Sequence, residues 1–264
     1  MKDLLAAMAV DEHDDDTFSA RCATGAPGRV FGGQVAAQAL FAAAKRAPHG
    51  SAPHSAHLYF LRPGNPATRI TYSVTALKIG RAYSTFQVHA RQGGREILTA
   101  LCSFCVPEAG PAYQETAPRV PEPEQCPTRA LVPPAANGAL RAAWEFRDVP
   151  LEGDRIPPRQ RTWLRARAAL TDDPVVQACA LTYVTDLTLP VTAHLPLHDF
   201  DHYVAGASLD HSIWFHRPFR VEDWLLFDQH TPTFAAARGL SLGRLFDRAG
   251  ALVASVAQES VIRV

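Results

Sequence analysis

The feature that most constrains this chain is a cluster of prolines near its middle. Eight of its 21 prolines lie between Pro107 and Pro134. Proline fixes φ and has no backbone N–H, so this stretch cannot form a long helix or a central strand. We therefore predict an extended linker at 109–135, between an N-terminal domain at 1–108 and a C-terminal domain at 136–264.

The two domains resemble each other at a constant spacing of 155 residues. The segments His57-Leu-Tyr-Phe-Leu-Arg-Pro63 and Ser212-Ile-Trp-Phe-His-Arg-Pro218 share Phe, Arg and Pro at matching positions. The same spacing pairs 98–106 with 253–261, and it places Ser103 at the position of Gln258. We interpret this as an internal duplication of one structural unit.

Each half contains one long apolar segment followed by alternating strands. Residues 34–45 are nearly apolar on all sides, which is typical of a buried helix. A second helix is predicted from Val175 to Leu189, after helix-start signals in Thr171-Asp-Asp-Pro174 and before a disruptive Pro190. The predicted fold is therefore α+β, with a helix wrapped by an antiparallel sheet, made twice.

Charge and composition exclude several classes of function. The 26 basic and 26 acidic residues give no broad field for a polyanion, so we expect no nucleic-acid partner. The apolar N-terminal run is too short for a signal peptide, and we expect no membrane insertion. Scattered cysteines indicate a reduced, cytoplasmic protein, in which Cys102 and Cys105 serve packing rather than zinc.

Four segments carry a resemblance to a known family. They begin with Arg29-Val-Phe-Gly-Gly-Gln, His54-Ser-Ala-His-Leu-Tyr, Ala207-Ser-Leu-Asp-His-Ser and Leu252-Val-Ala-Ser-Val-Ala. They are similar to signature segments of the acyl-CoA thioesterase II family and cover both halves. The resemblance implies a double hotdog fold and hydrolysis of fatty acyl-CoA to free fatty acid and CoA, without cofactor or metal.

The same resemblance implies three catalytic residues. They correspond to Asp186 on the second helix, Ser208 before the second sheet's first long strand, and Gln258 on its last strand. The family has Thr where this chain has Ser208, so the hydroxyl is kept and a methyl is lost. No carboxylate in the first half matches Asp186, so we expect one site per chain.

The residues themselves support this chemistry without requiring it. Asp186 is the only charge in the apolar stretch 181–189, and burial would raise its pKa toward that of a general base. A carboxylate that reaches solvent or pairs with Arg is the alternative. Gln258 alternates onto the inward face, where its amide could hold a water or simply be a satisfied core amide. An Asp nucleophile passing through an anhydride also stays open.

Substrate binding is predicted at the start of the first helix. Backbone N–H groups near Gly33 and Gln34 could receive the oxyanion, and Gly32 with Gly33 would let the backbone approach a ligand or simply pack tightly. His57, in the second family segment, is a further candidate. The apolar seam between helix and sheet would take the acyl chain. Four arginines could meet the CoA phosphates, and the sequence does not choose among Arg62, Arg81, Arg217 and Arg238.

Several alternatives compete with this prediction. A non-catalytic acyl-CoA-binding protein of the same fold is the main one, because of the altered hydroxyl position. Gly206-Ala-Ser-Leu-Asp210 resembles a serine-hydrolase elbow, but the chain lacks alternating strands and helices. His194, His198 and His202 are spaced like metal ligands, but the nearby prolines predict a loop there. A hotdog hydratase would need a helix histidine that neither helix has. Exposed sheet edges lead us to expect a homo-oligomer.

Overall fold

The computed structural model describes residues 2–13, 16–22, 28–129, 142–150, 158–193, 195 and 205–263. The first half contains α1 (Lys2–Met8), β1 (Asp11–Glu12), β2 (Thr17–Ala20), α2 (Gly32–Ala44), β3 (Ala52–Phe60), β4 (Ile70–Lys78), β5 (Tyr83–Gln92) and β6 (Arg95–Cys105). The second half contains β7 (Trp144–Asp148), β8 (Arg159–Ala166), α3 (Pro174–Thr192), β9 (Ala205–Ser208), β10 (Asp210–Phe215), β11 (Leu225–Ala235), β12 (Arg238–Asp247) and β13 (Leu252–Arg263).

All described strands belong to one antiparallel sheet that runs through both halves. Its order is β1-β2-β4-β5-β6-β3-β10-β13-β12-β11-β8-β7, with β9 paired to β13. Each half wraps its strands around one buried helix, α2 or α3, and the two helices pack against each other. This is the double hotdog predicted from the sequence.

The two halves meet where β3 pairs with β10. His57 lies opposite Ser212, and the His57 Nδ1 and Ser212 Oγ atoms are 3.1 Å apart. These two residues occupy matching positions in the internal repeat. An antiparallel pair of equivalent residues marks a pseudo-two-fold axis, as at a symmetric dimer interface. The repeated sequence segments are therefore the two strands that join the halves.

The second central helix is longer than predicted. It continues through Pro190 to Thr192, although we expected Pro190 to disrupt or end it. Asp173 caps its start by accepting a hydrogen bond from the Val175 N–H. Among the described helices, α3 alone is long and apolar enough to cross a membrane, but most of it is buried inside the fold.

The proline-rich segment lies against the second half. Its described part, up to residue 129, contains only a short 3₁₀ turn at Pro123–Gln125 and a single β-bridge between Thr128 and Arg147. The Trp163 indole donates to the Pro121 carbonyl at 2.9 Å, and the Gln114 side chain bonds the backbone of Gly250 and Leu252. The segment therefore covers part of the outer face of the sheet in the second half, and it is not a free linker.

The repeat contains a one-residue insertion that the constant spacing misses. The hairpin from β5 to β6 turns on two residues, Gly93 and Gly94, whereas the corresponding turn of the second half spans 248–250. Ala257 pairs with Ser212 as Leu101 pairs with His57. The counterpart of Gln258 is therefore Cys102, and our assignment of Ser103 is wrong, because a one-residue shift exchanges the two faces of a strand.

This correction predicts different costs for two neighbouring substitutions. Cys102 is buried, so Cys102→Ser should place a hydroxyl in an apolar core and lower the free energy of unfolding by about 1–3 kcal/mol. Ser103 lies on the outward face, so Ser103→Ala should cost less than about 1 kcal/mol. Urea unfolding of both variants measures this, and equal costs would contradict the corrected register.

Candidate active site

Asp186 lies on the side of α3 that faces the first half. It is only 7% exposed. Gln258 Nε2 donates to Asp186 Oδ1 at 2.7 Å, and the Ser208 hydroxyl donates to the same oxygen at 3.3 Å. Gln258 Nε2 also lies 2.5 Å from Ser208 Oγ. The structure therefore brings together the three predicted catalytic side chains, from α3, β9 and β13.

The start of α2 supplies a third hydrogen-bond partner to Asp186. The residue that precedes α2 is Phe31, which has no side-chain oxygen to cap the helix. The backbone N–H of Gly33 instead donates to the Asp186 carboxylate. Asp186 therefore caps the N-terminus of α2, a helix that belongs to the other half. The positive end of the α2 dipole also favours its negative charge.

This approach requires two glycines. A Cβ on Gly33 would lie 2.5 Å from the Tyr183 carbonyl oxygen of α3, and a Cβ on Gly32 would lie 2.9 Å from Asp186 Oδ2. Neither distance is tolerable for a carbon atom. The glycine pair therefore serves tight helix–helix packing, and that packing is what brings the α2 backbone to the carboxylate.

A break in strand alternation aims Ser208 at the site. Ser208 pairs with Ser260 and Ser212 pairs with Ala257, so the chain at Leu209–Asp210 contains one extra residue relative to β13. The Asp210 carboxylate accepts the Glu259 N–H at 2.6 Å and stabilises this irregularity. Such a bulge re-aims the neighbouring side chains.

His211 also faces the site and was not among the residues predicted from the sequence. Its Nδ1 lies 2.9 Å from Gln258 Oε1, and its Nε2 lies 3.2 Å from Thr185 Oγ1. The signal that could have found it is the alternation of β10, in which His211 is an inward polar residue beside the apolar Ile213.

Burial raises the pKa of Asp186 above the ordinary value of an aspartate. The charge of His211 and the hydrogen bonds from Gln258, Gly33 and Ser208 lower it in part. Desolvation is the largest of these effects, so the carboxylate holds a proton more strongly than an exposed one. A more basic carboxylate is better suited to remove a proton from water.

Two of the predicted substrate-binding side chains lie elsewhere. Gln34 is buried and its amide donates to the Ala7 carbonyl at 2.8 Å, so it anchors the segment around α1. His57 lies on the outward face of β3, beside Trp214, and the buried Ala56 and Leu58 alternate with it. The Gln34 N–H bonds Phe31 O and the Gly33 N–H bonds Asp186, so both predicted oxyanion donors are already engaged.

The seam between α3 and the second sheet is more polar than the sequence indicated. Gln160 Nε2 donates to Thr192 Oγ1 at 2.6 Å, and Thr188 donates to Gln229 Oε1 at 3.2 Å. The α2 side is instead lined by alanines. This part of α3 is therefore not the purely apolar seam that the sequence predicted.

The other predicted ligand groups can be placed only in part. His194, His198 and His202 lie outside the described residues. Within the described part of the chain, no group of three or more His, Cys, Asp or Glu could hold a metal. Cys102 and Cys105 are free thiols, and burial raises the pKa of Cys102 to about 12.

Solved structures first establish the class of fold. A tesB protein of Mycobacterium avium subsp. paratuberculosis matches with a TM-score of 0.87 and 32% identity, covering 99% of both chains. Acyl-CoA thioesterase II TesB2 of Mycobacterium marinum matches with a TM-score of 0.87 and 33% identity, covering 98% of both chains. A hot dog fold protein of Alicyclobacillus acidocaldarius, at 19% identity and a TM-score of 0.83, supports the fold alone.

The sequence comparisons then identify the family. The acyl-CoA thioesterase model matches residues 139–261, and the model of the acyl-CoA thioesterase N-terminal domain matches 22–105. Human acyl-coenzyme A thioesterase 8 is 36% identical and covers 95% of this chain and 86% of its own. Acyl-CoA thioesterase 2 of Haemophilus influenzae is 34% identical over 100% of this chain and 98% of its own. The chain therefore belongs to the acyl-CoA thioesterase family.

The raised pKa of Asp186 predicts a pH-dependent stability difference. The folded protein binds the Asp186 proton more tightly than the unfolded chain, so wild-type stability falls as pH rises from the unfolded pKa, about 3.9, to the folded pKa. Asp186→Asn removes this loss. The variant should gain up to about 1.4 kcal/mol on wild type per pH unit in that window. Urea unfolding at several pH values tests this, and a difference independent of pH would contradict it.

Proposed function

We propose that this chain hydrolyses fatty acyl-CoA to free fatty acid and CoA, using water activated at Asp186. The observation that carries the proposal is the convergence of Gln258 Nε2, the Ser208 hydroxyl and the Gly33 N–H on one buried carboxylate. Burial opposes the charge of a carboxylate, and a buried carboxylate with a raised pKa is a candidate for catalysis. Membership of the acyl-CoA thioesterase family supplies the substrate class.

The proposed reaction begins with proton removal from water. Asp186 accepts one proton while the water oxygen attacks the thioester carbonyl carbon, forming a tetrahedral oxyanion. The carbonyl then re-forms as the C–S bond breaks, and the CoA sulfur takes the proton from Asp186. The acid product and the free thiol leave, and the carboxylate is regenerated. Each step keeps the charge close to the positive end of α2.

Gln258 and Ser208 supply the donors near the reacting atoms. Both contact Asp186 Oδ1 in the structure, and the Gln258 amide reaches Ser208 as well. We propose that a hydrogen bond of this amide moves to the attacking water when substrate binds. The Gly33 N–H would remain on the carboxylate, which differs from the oxyanion role expected for it.

The test is release of free thiol from acyl-CoAs of graded chain length. Wild type should release thiol at rates well above background. Asp186→Asn should lose about 100-fold or more of kcat, as expected for removal of a general base. Asp172→Asn makes the same chemical change at an exposed aspartate and should leave kcat unchanged.

Two outcomes would contradict the proposal. Acyl-CoA binding without thiol release by wild type would favour the non-catalytic binding protein. An Asp186→Asn variant with wild-type kcat would refute the role of Asp186.

Activity should also rise with pH through a pKa above the ordinary aspartate value, because the ionised form is the base.

Among the four candidate arginines, Arg62 best fits the CoA phosphates. Arg238 pairs with Glu259 at 3.0 Å, so its charge is already balanced. Arg62 and Arg217 each donate to one backbone carbonyl at 2.7 Å, that of Glu96 and that of Leu252, so the position of Arg62 distinguishes the two. Arg62 lies two residues after Phe60 in the sequence. The Phe60 ring lies against Gly32, which is next to Asp186, so Arg62 is close along the chain to the candidate site. The Gly64 carbonyl also accepts the Val30 N–H, which ties this loop to the start of α2.

Arg62 shares an open cavity of about 360 Å³ with a second arginine, Arg95. Both are exposed, and neither forms an ion pair within the described part of the chain. Arginine binds phosphate through paired N–H groups, so two guanidinium groups without an ion-pair partner among the described residues suit a phosphorylated ligand, although Arg62 Nη1 already donates to the Glu96 carbonyl.

Arg62→Ala should raise KM for acyl-CoA by about 10-fold and leave kcat within about 2-fold, because phosphate binding is uniform between ground state and transition state. Arg81→Ala, an exposed arginine in the β4–β5 turn, should change neither constant. Steady-state kinetics with one acyl-CoA measures both. Equal effects of the two substitutions would exclude a special role for Arg62.

A further inference from the structure

His211 is a buried imidazole, and its hydrogen bond to the proposed catalytic residues is the one to Gln258. It lies on β10, and its exposed fraction is 0%. Its two ring nitrogens each have one partner, Gln258 Oε1 for Nδ1 and Thr185 Oγ1 for Nε2. A buried histidine held at both nitrogens has a fixed ring orientation.

The hydrogen bonds around Gln258 define which way its amide must face. Its nitrogen lies 2.7 Å from Asp186 Oδ1 and 2.5 Å from Ser208 Oγ, so both amide hydrogens point toward the proposed site. Its oxygen then faces His211 and needs a donor, because an amide oxygen only accepts. The reversed amide would set its oxygen against the Asp186 carboxylate and repel it.

We propose that His211 is a positioning residue whose Nδ1–H holds the Gln258 amide with its nitrogen toward Asp186 and Ser208. This inference rests on the proposed function of that site. His211 itself contacts neither Asp186 nor Ser208 through a hydrogen bond among the described residues. It reaches the reacting groups by its hydrogen bond to Gln258 and, through its charge, by lowering the pKa of Asp186.

Thr185 supports the required tautomer of His211. A neutral imidazole that donates from Nδ1 must accept at Nε2, and the Thr185 hydroxyl can donate there at 3.2 Å. Thr185 Oγ1 also lies 3.2 Å from the Thr182 carbonyl oxygen, so its hydrogen has a second acceptor one turn back along α3. A protonated His211 would keep the Nδ1–H and simply turn the Thr185 hydroxyl toward that carbonyl.

The first test reads the His211 tautomer directly in the wild-type protein. Histidine labelled with ¹⁵N gives distinct NMR shifts for protonated and unprotonated Nδ1, and His211→Asn assigns the signal. We expect Nδ1 of His211 to carry a proton at the pH of activity. An unprotonated Nδ1 would overturn the inference, because the Gln258 oxygen would then have no donor. This measurement needs no variant of His211 to be active.

The second test uses paired substitutions and enzyme kinetics. His211→Leu removes the donor, and it should lower kcat about 10-fold or more with KM within about 2-fold. It should also move the acidic limb of the kcat profile to higher pH, because Asp186 loses both the charge of His211 and the Gln258 donor, each of which lowers its pKa. His211→Asn places an amide N–H near the former Nδ1. It should restore kcat, because it again holds the Gln258 amide, and return the acidic limb only in part, because it carries no charge.

His216→Leu is the matched control. His216 lies outside the proposed site, where its Nε2 contacts Ser255 Oγ at 2.9 Å. The same side-chain change there should leave kcat and the pH profile unchanged. A general loss of stability from replacing histidine by leucine would lower the active fraction without moving the acidic limb.

The outcomes separate this inference from the proposed function. If Asp186→Asn is inactive but His211→Leu keeps the wild-type kcat and acidic limb, the positioning role alone is overturned. If Asp186→Asn is fully active, the proposed function fails and the positioning role fails with it. If His211→Leu does not fold, the wild-type NMR measurement decides.

Discussion

The candidate site depends on a hydrogen bond between the two halves, from the Gly33 N–H at the start of α2 to the Asp186 carboxylate on α3. A helix begins with unsatisfied N–H groups, and Phe31 cannot supply the oxygen that normally caps them. A buried carboxylate, in turn, needs donors to offset its desolvation. Each half therefore supplies what the other lacks, and the glycine pair at 32–33 makes the approach possible.

This interdependence is the physical reason for which we expect one site, rather than two, in the duplicated fold. The first half supplies a helix end, and the second half supplies the carboxylate, hydroxyl and amide. At the position that corresponds to Gln258, the first half has Cys102, a buried thiol whose pKa burial raises to about 12. A thiol held protonated in an apolar core offers no hydrogen-bonding group of similar strength.

Periodicity and repetition in the sequence predicted the duplication, both central helices and the antiparallel sheets. The segments that carried the family resemblance also predicted Asp186, Ser208 and Gln258, which the structure places within hydrogen-bond distance of one another. These features are readable because they arise from local pattern or from long matching segments. Their role in catalysis remains the proposal made above.

Features that depend on a single inserted residue or on tertiary packing could not be predicted from the sequence. The turn at 248–250 is one residue longer than the corresponding turn of the first half. The constant spacing therefore matched Gln258 with Ser103, whereas the structure matches it with Cys102. The irregularity at Leu209–Asp210 brings Ser208 and His211 to one face, although simple alternation would separate residues three apart. Gln34 matched a family segment, but its side chain anchors the backbone near α1.

The general-base role of Asp186 is tested most directly by a single turnover in ¹⁸O-labelled water, in which the position of the ¹⁸O label in the products and in the protein is measured. Direct attack by water activated at Asp186 predicts that the released fatty acid carries ¹⁸O and that the Asp186 peptide carries none. Attack by Asp186 itself would form an anhydride, and hydrolysis at its aspartyl carbonyl would transfer ¹⁸O to Asp186. Mass spectrometry of the acid and of the peptide containing Asp186 measures both, and label in Asp186 would contradict its role as a general base.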